Sequence, residues 1–301
     1  MYLIFDTETT GLPKRWDAPI TDVNNWPRCI QIAWQLHDDM GKLIEHQDYL
    51  VKPEGFNIPY DAERIHGIST ELAQAEGISL AEVLEKFNEA LGKAKFIVGQ
   101  NLGFDVNIMG CELHRMGVDS PMGNMPVLDT CTEITASLLK LPGGRGGKFK
   151  LPTLTELHQF LFDKPFAEAH NATADVEATT RCFLELIRKE VFTKEELDVP
   201  ASYFKDFQSK NPIEIQLIGL KHINLKAASD KIRQQLQKSE QNISQASISQ
   251  SDKEDFTAAK FAHLHNHTQF SVLQSTIGIG PLVASTAKNK FPAVSMTDTE
   301  I

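Results

Sequence analysis

The 301-residue sequence contains no hydrophobic run that approaches the ~20 residues needed to span a membrane. Its first apolar segment reaches an acid at Asp6, so it lacks the basic start and long apolar core of a secretory signal. The four cysteines, Cys29, Cys111, Cys131 and Cys182, form no C-x-x-C pair. These absences argue against a membrane-spanning protein and a disulfide-rich secreted domain. We therefore expect a cytoplasmic protein with reduced cysteines and no membrane partner.

The chain also lacks an excess of positive charge, with 30 Lys and Arg against 40 Asp and Glu. A protein that coats duplex nucleic acid gains affinity by neutralising phosphates, so this balance argues against that class. It does not exclude an enzyme that holds one nucleic-acid end through bound cations. The hydrophobic content of 41% is ordinary for a globular protein, and the length allows one sizeable domain and a smaller unit.

The apolar segment 2–5 predicts a buried central strand that ends in two acids, Asp6 and Glu8. Side chains alternate along a strand, so these two acids lie on the same face. Carboxylates on one face of a buried strand repel each other, and burial makes their charged forms costly. A divalent cation would relieve this repulsion. The alternative is that one acid is a solvated strand end and the other caps a turn.

Two further strands, at 29–36 and 43–51, predict an antiparallel meander with the first strand. The loop 14–28 is inserted between the first two strands and carries Trp16 and Trp26. We expect both rings to pack the loop onto its own domain, and the alternative is stacking on a nucleobase.

Two segments lack the large apolar residues of a packed core. The glycine-rich loop 140–150 carries several Lys and Arg residues, which suit contact with phosphate, although a solvated surface loop is the alternative. The segment 234–255 is rich in Gln, Ser and charge, and we interpret it as a flexible linker.

Three more polar residues lie at the ends of predicted elements: Asp105 after the strand 96–99, and His170 and Asp175 at the start of a long helix. Such element ends can meet at one edge of a mixed sheet. Carboxylate oxygens suit Mg²⁺ or Mn²⁺, and two such ions about 4 Å apart can activate a water for phosphodiester hydrolysis. A histidine can take the proton of that water. Taken singly, a surface histidine and a helix N-terminal acid are the alternatives.

Three motifs together resemble the DEDDh 3′-5′ exonuclease family, which includes the proofreading epsilon subunit of bacterial DNA polymerase III. They are Asp6-Thr7-Glu8-Thr9-Thr10-Gly11, Asn101-Leu102-Gly103-Phe104-Asp105 and His170-Asn171-Ala172-Thr173-Ala174-Asp175. The likeness extends through Ile65-His66-Gly67-Ile68 and Leu128-Asp129-Thr130. It implies a ribonuclease-H-like α/β domain over residues 1–190, with a mixed five-stranded sheet flanked by helices.

The resemblance also implies roles for individual residues. The metal ligands would be Asp6, Glu8, Asp105 and Asp175, holding two Mg²⁺ or Mn²⁺ ions, and His170 would be the general base. The residues near the 3′-terminal nucleotide would be Thr7, Thr9, Thr10, Gly11, His66, Asn101 and Phe104. The sequence departs from the family in Gln100, where a His is usual, and in the length of the loop 14–28. Both departures concern substrate access more than the metals.

Residues 256–301 resemble the start of the PHP domain that opens the alpha subunit of bacterial DNA polymerase III. The likeness rests on the segments 261–271 and 296–298, and it implies His265, His267 and Asp298 as PHP metal ligands. Thr299 replaces a His of metal-binding versions, which favours a structural role. We expect an incomplete PHP-type βαβ fragment after a helical and polar, partly disordered linker at 191–255.

The combined expectation is a metal-dependent 3′-5′ exonuclease that proofreads a DNA 3′ end, single-stranded or frayed from a primer. Its partner would be the polymerase III alpha region, fused in cis, with this sequence as the N-terminal part. One alternative is an RNA-directed exonuclease of the same fold, which contacts to the 2′-hydroxyl would distinguish. The other is a catalytically silent nucleic-acid-binding module, which the complete set of acids disfavours.

Overall fold

The N-terminal apolar segment forms the central strand of a five-stranded sheet. In chain order the strands are β1 Tyr2–Thr9, β2 Cys29–His37, β3 Leu43–Leu50, β4 Phe96–Gly99 and β5 Val127–Asp129. Their order across the sheet is β3-β2-β1-β4-β5. The first three strands pair antiparallel, whereas β4 pairs parallel with β1 and β5 pairs parallel with β4. The predicted meander and mixed five-stranded sheet are confirmed.

The structure is a computed structural model that describes residues 1–164, 171–246 and 279–288. Its helices are α1 Tyr60–His66, α2 Thr70–Glu76, α3 Leu80–Lys93, α4 Gly103–Met116, α5 Glu133–Leu139, α6 Leu154–Phe162, α7 Ala172–Arg188, α8 Lys194–Leu197, α9 Tyr203–Lys210, α10 Leu225–Ala246 and α11 Ile279–Lys288. Within these ranges, no helix combines the length and the apolar character that crossing a membrane requires.

Alternation along β1 divides its side chains between two apolar cores. Leu3 and Phe5 pack with residues of α3 and α4 on one face of the sheet. Tyr2 and Ile4 pack with residues of α6 and α7 on the other face. Both faces of this strand are therefore covered by helices, which explains why its sequence is a continuous apolar run.

Two helices of the domain begin at side-chain caps of the residue types typical of a helix N-terminus. The Ser69 hydroxyl accepts a hydrogen bond from the Leu72 N–H at 3.0 Å at the start of α2. At the start of α6, the Thr153 hydroxyl accepts from the Glu156 N–H at 3.3 Å, and the Glu156 carboxylate accepts from the Thr153 N–H at 2.8 Å. These bonds satisfy N–H groups that a helix start leaves unpaired.

The chain divides into two units, Met1–Gln235 and Leu236–Ile301, so the first unit continues beyond the predicted boundary at residue 190. Leu197 and Phe207 are fully buried in the core that contains α7. Leu225 is buried in a third core with α1 and α2. Parts of the segment 191–235, which the sequence predicts as a linker, therefore pack against the domain. The sequence did not indicate this because the buried residues stand singly between polar ones.

The second unit is described in two places, the end of α10 and the helix α11. The helix α10 runs to Ala246, into the segment expected to be a flexible linker. His265, His267 and Asp298 lie outside the described residues, and the PHP-type fragment stays a prediction.

Candidate active site

Carboxylates from β1 and α7 meet beside the sheet. Asp6 and Glu8 continue the row of β1 side chains that faces α7, and Asp175 lies in the first turn of that helix. One carboxylate oxygen of each residue lies within 4.8 Å of the other two. Three hard oxygen donors at this spacing can share a divalent cation. The structure therefore brings together three acids that lie far apart in the sequence.

Asp105, the fourth predicted acid, is held by the residue between Asp6 and Glu8. The Thr7 hydroxyl donates to Asp105 Oδ1 at 2.6 Å, and the Thr7 backbone N–H donates to the same oxygen at 3.0 Å. Asp105 is only 5% exposed. These two bonds fix its carboxylate against β1. The sequence predicted Thr7 only as a substrate-binding residue, so this contact is an addition.

Asp129, at the end of β5, fixes the turn that leads into α4. Its two carboxylate oxygens accept the N–H groups of Asn101 and Leu102, each at 2.8 Å. Asp129 Oδ1 also accepts the Cys131 N–H at 2.7 Å. Asn101 has a φ of 57°, in the left-handed region where Asn is one of the better tolerated residues. In the sequence Asp129 belongs to the motif Leu128-Asp129-Thr130, and its place at the end of an apolar run was a usable signal of a role near the site.

A polar network fixes the start of α7, and sequence reasoning missed it. Asp48 on β3 accepts from the Thr173 hydroxyl at 2.5 Å and from Gln31 Nε2 at 2.8 Å. Asn171 caps the helix because its Oδ1 accepts the Thr173 N–H at 3.1 Å. These bonds set the position of Asp175 in the same turn. The signal in the sequence was Gln31, a polar residue within the apolar stretch 29–34. In the structure Gln31 is 1% exposed.

Burial and mutual repulsion raise the pKa values of the clustered acids. Burial raises the pKa of Asp6 well above its ordinary range, and the charges of Asp105, Asp175 and Glu8 raise it further. Burial, then the charges of Asp175 and Asp105, raise the pKa of Glu8 to about 8. Burial raises the pKa of Asp105 to about 7, although the Thr7 hydrogen bonds oppose this. Buried carboxylates that repel one another in this way are suited to a cation.

The turn after β1 is ordered by side-chain bonds. The Thr9 hydroxyl donates to the Gly11 carbonyl at 2.7 Å, and the Thr10 hydroxyl accepts the Arg28 N–H at 2.9 Å. Gly11 has a φ of 145°. The predicted roles of Thr9, Thr10 and Gly11 in substrate binding stay predictions, as do those of Asn101 and of Phe104 in α4.

The two histidines of the predicted site differ in what the structure describes. His66 ends α1, is 6% exposed, and its Nδ1 accepts the Ile68 N–H at 3.0 Å. This bond fixes the ring, and contact with substrate stays a prediction. His170 lies outside the described residues, and its role as general base is likewise a prediction.

The basic loop 140–150 lies next to the turn that precedes α4. Gln100 Nε2 donates to the Pro152 carbonyl at 2.8 Å, just after the loop. Within the loop, Lys148 pairs with Glu133, and Lys150 pairs with Glu156 at 2.6 Å. Two of the positive charges are therefore balanced by neighbouring acids, and phosphate contact stays a prediction.

The two tryptophans of the loop 14–28 have different environments. Trp26 is 3% exposed and its Nε1 donates to the Pro19 carbonyl at 3.1 Å, so the prediction that it packs is confirmed. Trp16 is 60% exposed, and its ring centroid lies 5.8 Å from that of Phe104. The prediction of packing holds less well for Trp16, because most of its surface stays exposed although its ring contacts Phe104.

The sheet order, the covering helices and the carboxylate cluster define an α/β nuclease domain. The Exonuclease family (RNase_T) matches residues 3–183, which is more than half of the chain. The chain belongs to this family. The prediction of a 3′-5′ exonuclease, a phosphodiester hydrolase, is confirmed.

Several relatives are similar to the same part of the chain. The 3′-5′ exonuclease DinG of Bacillus subtilis is 32% identical over 189 residues, 62% of this chain and 18% of that protein. The DNA polymerase III subunit epsilon of Rickettsia felis is 24% identical over 223 residues, 73% of this chain and 89% of that protein. A PolC-type DNA polymerase III of Pediococcus pentosaceus is 28% identical over 190 residues, 62% of this chain and 11% of that protein.

A solved structure of exonuclease I shares the fold, with a TM-score of 0.51 and 21% identity. The match covers 65% of this chain and 42% of exonuclease I. The chain therefore spans less than half of exonuclease I and 18% of DinG, whereas it spans 89% of the epsilon subunit.

Proposed function

We propose that this chain is a metal-dependent 3′-5′ exonuclease that releases nucleotides from a DNA 3′ end. The observation that carries the proposal is the meeting of Asp6, Glu8 and Asp175 within 4.8 Å, on segments remote in the sequence. Asp105 is not one of these three, but Thr7 holds its carboxylate beside β1 and its charge raises the pKa of Asp6. A cluster with no chemical use would be costly, since repulsion between buried carboxylates destabilises the fold.

The donor set fits Mg²⁺ or Mn²⁺. All four predicted ligands are carboxylates, which these hard cations prefer, and burial beside other acids raises the pKa values of Glu8 and Asp105. We propose two ions held by Asp6, Glu8, Asp105 and Asp175. When bound, such a pair supplies activation of a water and stabilisation of the leaving oxygen of a phosphodiester.

The remaining residues orient the reacting groups. Thr7 and the network around Asp48 keep Asp105 and Asp175 in fixed positions, so that the ligands need no rearrangement on binding. His170 directly precedes the helix cap Asn171, and we assign it the removal of a proton from the attacking water. The remaining assignment is substrate contact, which we give to the turn Thr9–Gly11, His66, Asn101 and Phe104.

The biological context is inferred from the relatives. Two of them are named as DNA polymerase III proteins, the epsilon subunit of Rickettsia felis and the PolC-type polymerase of Pediococcus pentosaceus. We infer a proofreading role in DNA replication, in the cytoplasm, with a polymerase III alpha region fused in cis as the partner. This inference does not depend on the chemistry of the site, so the replication role can be wrong while the nuclease assignment stands.

The test is incubation of the protein with single-stranded DNA and RNA oligonucleotides, 3′-labelled and 5′-labelled, in Mg²⁺, Mn²⁺ or chelator. We expect release of the 3′ label from DNA with either metal and none with chelator. Asp6→Ala and Asp175→Ala are expected to abolish release while circular dichroism stays unchanged. Glu85→Gln, at an exposed acid of α3, is the matched control.

Three results would contradict the proposal in different ways. Release of nucleotides in chelator would refute the metal dependence. Faster hydrolysis of RNA than of DNA would reassign the substrate. Full activity of both alanine variants would remove the assigned site altogether.

A further inference from the structure

We propose that Trp16 binds an unpaired nucleobase of the strand whose 3′ end lies at the carboxylate cluster. This inference rests on the proposed function, and it adds a residue from a loop that none of the assigned site residues occupies. The occupant is a base of single-stranded DNA, held by stacking on the indole ring.

The position of Trp16 links it to the site. Its ring lies against Phe104, with centroids 5.8 Å apart and planes inclined by 50°. Phe104 directly precedes Asp105 in the first turn of α4. The two rings therefore form an aromatic surface that starts beside a predicted metal ligand and leads outward to solvent.

The exposure of Trp16 is unusual for so large an apolar side chain. It is 60% exposed, whereas the other two tryptophans, Trp26 and Trp34, are 3% and 0% exposed. Burying an indole ring is strongly favourable, so an open ring next to a site indicates a surface that a ligand covers.

Hydrogen bonds order the backbone of the loop that carries this ring. Asn25 Oδ1 accepts the Arg15 N–H at 2.8 Å, and Asn25 Nδ2 donates to the Arg15 carbonyl at 2.9 Å. The Lys14 N–H donates to the Asn25 carbonyl at 3.2 Å. At the far end of the loop, Arg115 on α4 donates to the Val23 carbonyl at 2.6 Å. A loop backbone fixed in this way loses little conformational freedom when the ring binds a base.

The chemistry around the ring fits a single strand. Stacking of a base on an aromatic side chain tolerates any base, and an adjacent positive charge meets the backbone phosphates. Lys14 is exposed and makes no ion pair within the described part of the chain. A base in a duplex already has its faces covered by neighbours, so this contact favours an unpaired or frayed end over a paired one.

The first measurement uses the fluorescence of the full chain. Of the three tryptophans, Trp16 alone is exposed, so acrylamide quenching reports mainly on its ring. We expect an oligo-dT strand, added with Ca²⁺ in place of Mg²⁺, to shield Trp16 from acrylamide. Binding of the strand is followed separately by anisotropy of a label on its 5′ end.

The second measurement compares variants by steady-state hydrolysis in Mg²⁺. Trp16→Ala is expected to raise KM about tenfold with little change in kcat, because one stacked base contributes binding rather than chemistry. Trp16→Phe keeps an aromatic face and is expected to recover most of the loss. Val23→Ala, at a side chain of the same loop that is 38% exposed, is the matched control.

The outcomes separate this inference from the proposed function. If the strand binds and is hydrolysed, yet acrylamide accessibility and KM do not depend on Trp16, the stacking role is refuted and the nuclease stands. If Trp16→Ala lowers kcat or thermal stability and leaves KM unchanged, the ring is structural and the inference fails. If no strand binds or is hydrolysed by the parent, the proposed function fails first.

Discussion

The substitution Glu8→Gln tests the electrostatics of the cluster without removing a side chain. Burial, then the charges of Asp175 and Asp105, raise the pKa of Glu8 from its ordinary 4.5 to about 8. The folded protein therefore binds more protons than the unfolded chain between these two pH values. Under proton linkage, the free energy of unfolding then falls as the pH rises through this range.

The magnitude follows from the two pKa values. Each unit between 4.5 and about 8 corresponds to about 1.4 kcal/mol, so full ionisation of Glu8 costs at most about 5 kcal/mol. Glu8 is partly exposed and shares its repulsion with three other acids, which reduces this figure. We expect Glu8→Gln to raise the free energy of unfolding of the metal-free protein by about 1–3 kcal/mol at pH 8. At pH 4 the difference is expected to vanish.

The assay is urea unfolding in chelator at several pH values from 4 to 8, followed by circular dichroism. Adding Mg²⁺ is expected to reverse the order, because the parent gains a cation that the variant binds poorly. Glu85→Gln, at an exposed acid of α3, is expected to show no such pH dependence. A difference for Glu8→Gln that is the same at every pH, or a destabilised variant at pH 8, would refute the electrostatic account.

Three further predictions concern other parts of the molecule. Asp129→Asn weakens the bonds to the Asn101 and Leu102 N–H groups, so we expect the free energy of unfolding to fall by about 1–3 kcal/mol and kcat to fall as well. An unchanged kcat would show that this turn does not position the site. Phe207→Ala opens a cavity in the core that contains α7, so we expect urea unfolding to show a free energy of unfolding lower by about 3–5 kcal/mol. No change would place the region beyond residue 190 outside the folded unit. His170→Ala is expected to lower kcat and to flatten the acidic limb of the pH–rate profile, whereas calorimetry is expected to show that Mn²⁺ still binds. A variant as active as the parent would refute the general-base role.

Much of the fold was predictable because its elements have strong local signals. The run Tyr2–Phe5 gave the central strand, and the alternation in Cys29–Leu36 gave its antiparallel neighbour. Ser69 and Thr153, residue types typical of a helix N-cap, stand at two helix starts. In these places, periodicity and capping chemistry agree with the tertiary structure.

The packing of residues 191–235 was not predictable, since its stability comes from contacts distant in the sequence. Arg233 donates to both carboxylate oxygens of Glu63, at 2.6 and 2.8 Å, and so ties α10 to α1. Ser229 donates to the Gly67 carbonyl at 2.7 Å in the same interface. Pairs separated by so many residues leave no periodic trace in the sequence.

The candidate site, like the fold, was predictable only in part. The motifs indicated Asp6, Glu8 and Asp175, and the structure places their carboxylates together. The sequence indicates less about the residues that orient them. Asp129 stands in a motif and at a strand end, but neither Asp129 nor Asp48 shows in the sequence which N–H or hydroxyl groups it accepts. Supporting contacts of this kind are visible only after the chain is folded.

We expect four acids from β1, α4 and α7 to hold a pair of divalent cations. The most direct test is anomalous diffraction from crystals of the protein soaked in Mn²⁺. Two anomalous peaks about 4 Å apart are expected, each bonded to carboxylate oxygens of Asp6, Glu8, Asp105 or Asp175. Crystals with fully ordered acids and no peak there, or with manganese bound only elsewhere, would contradict it.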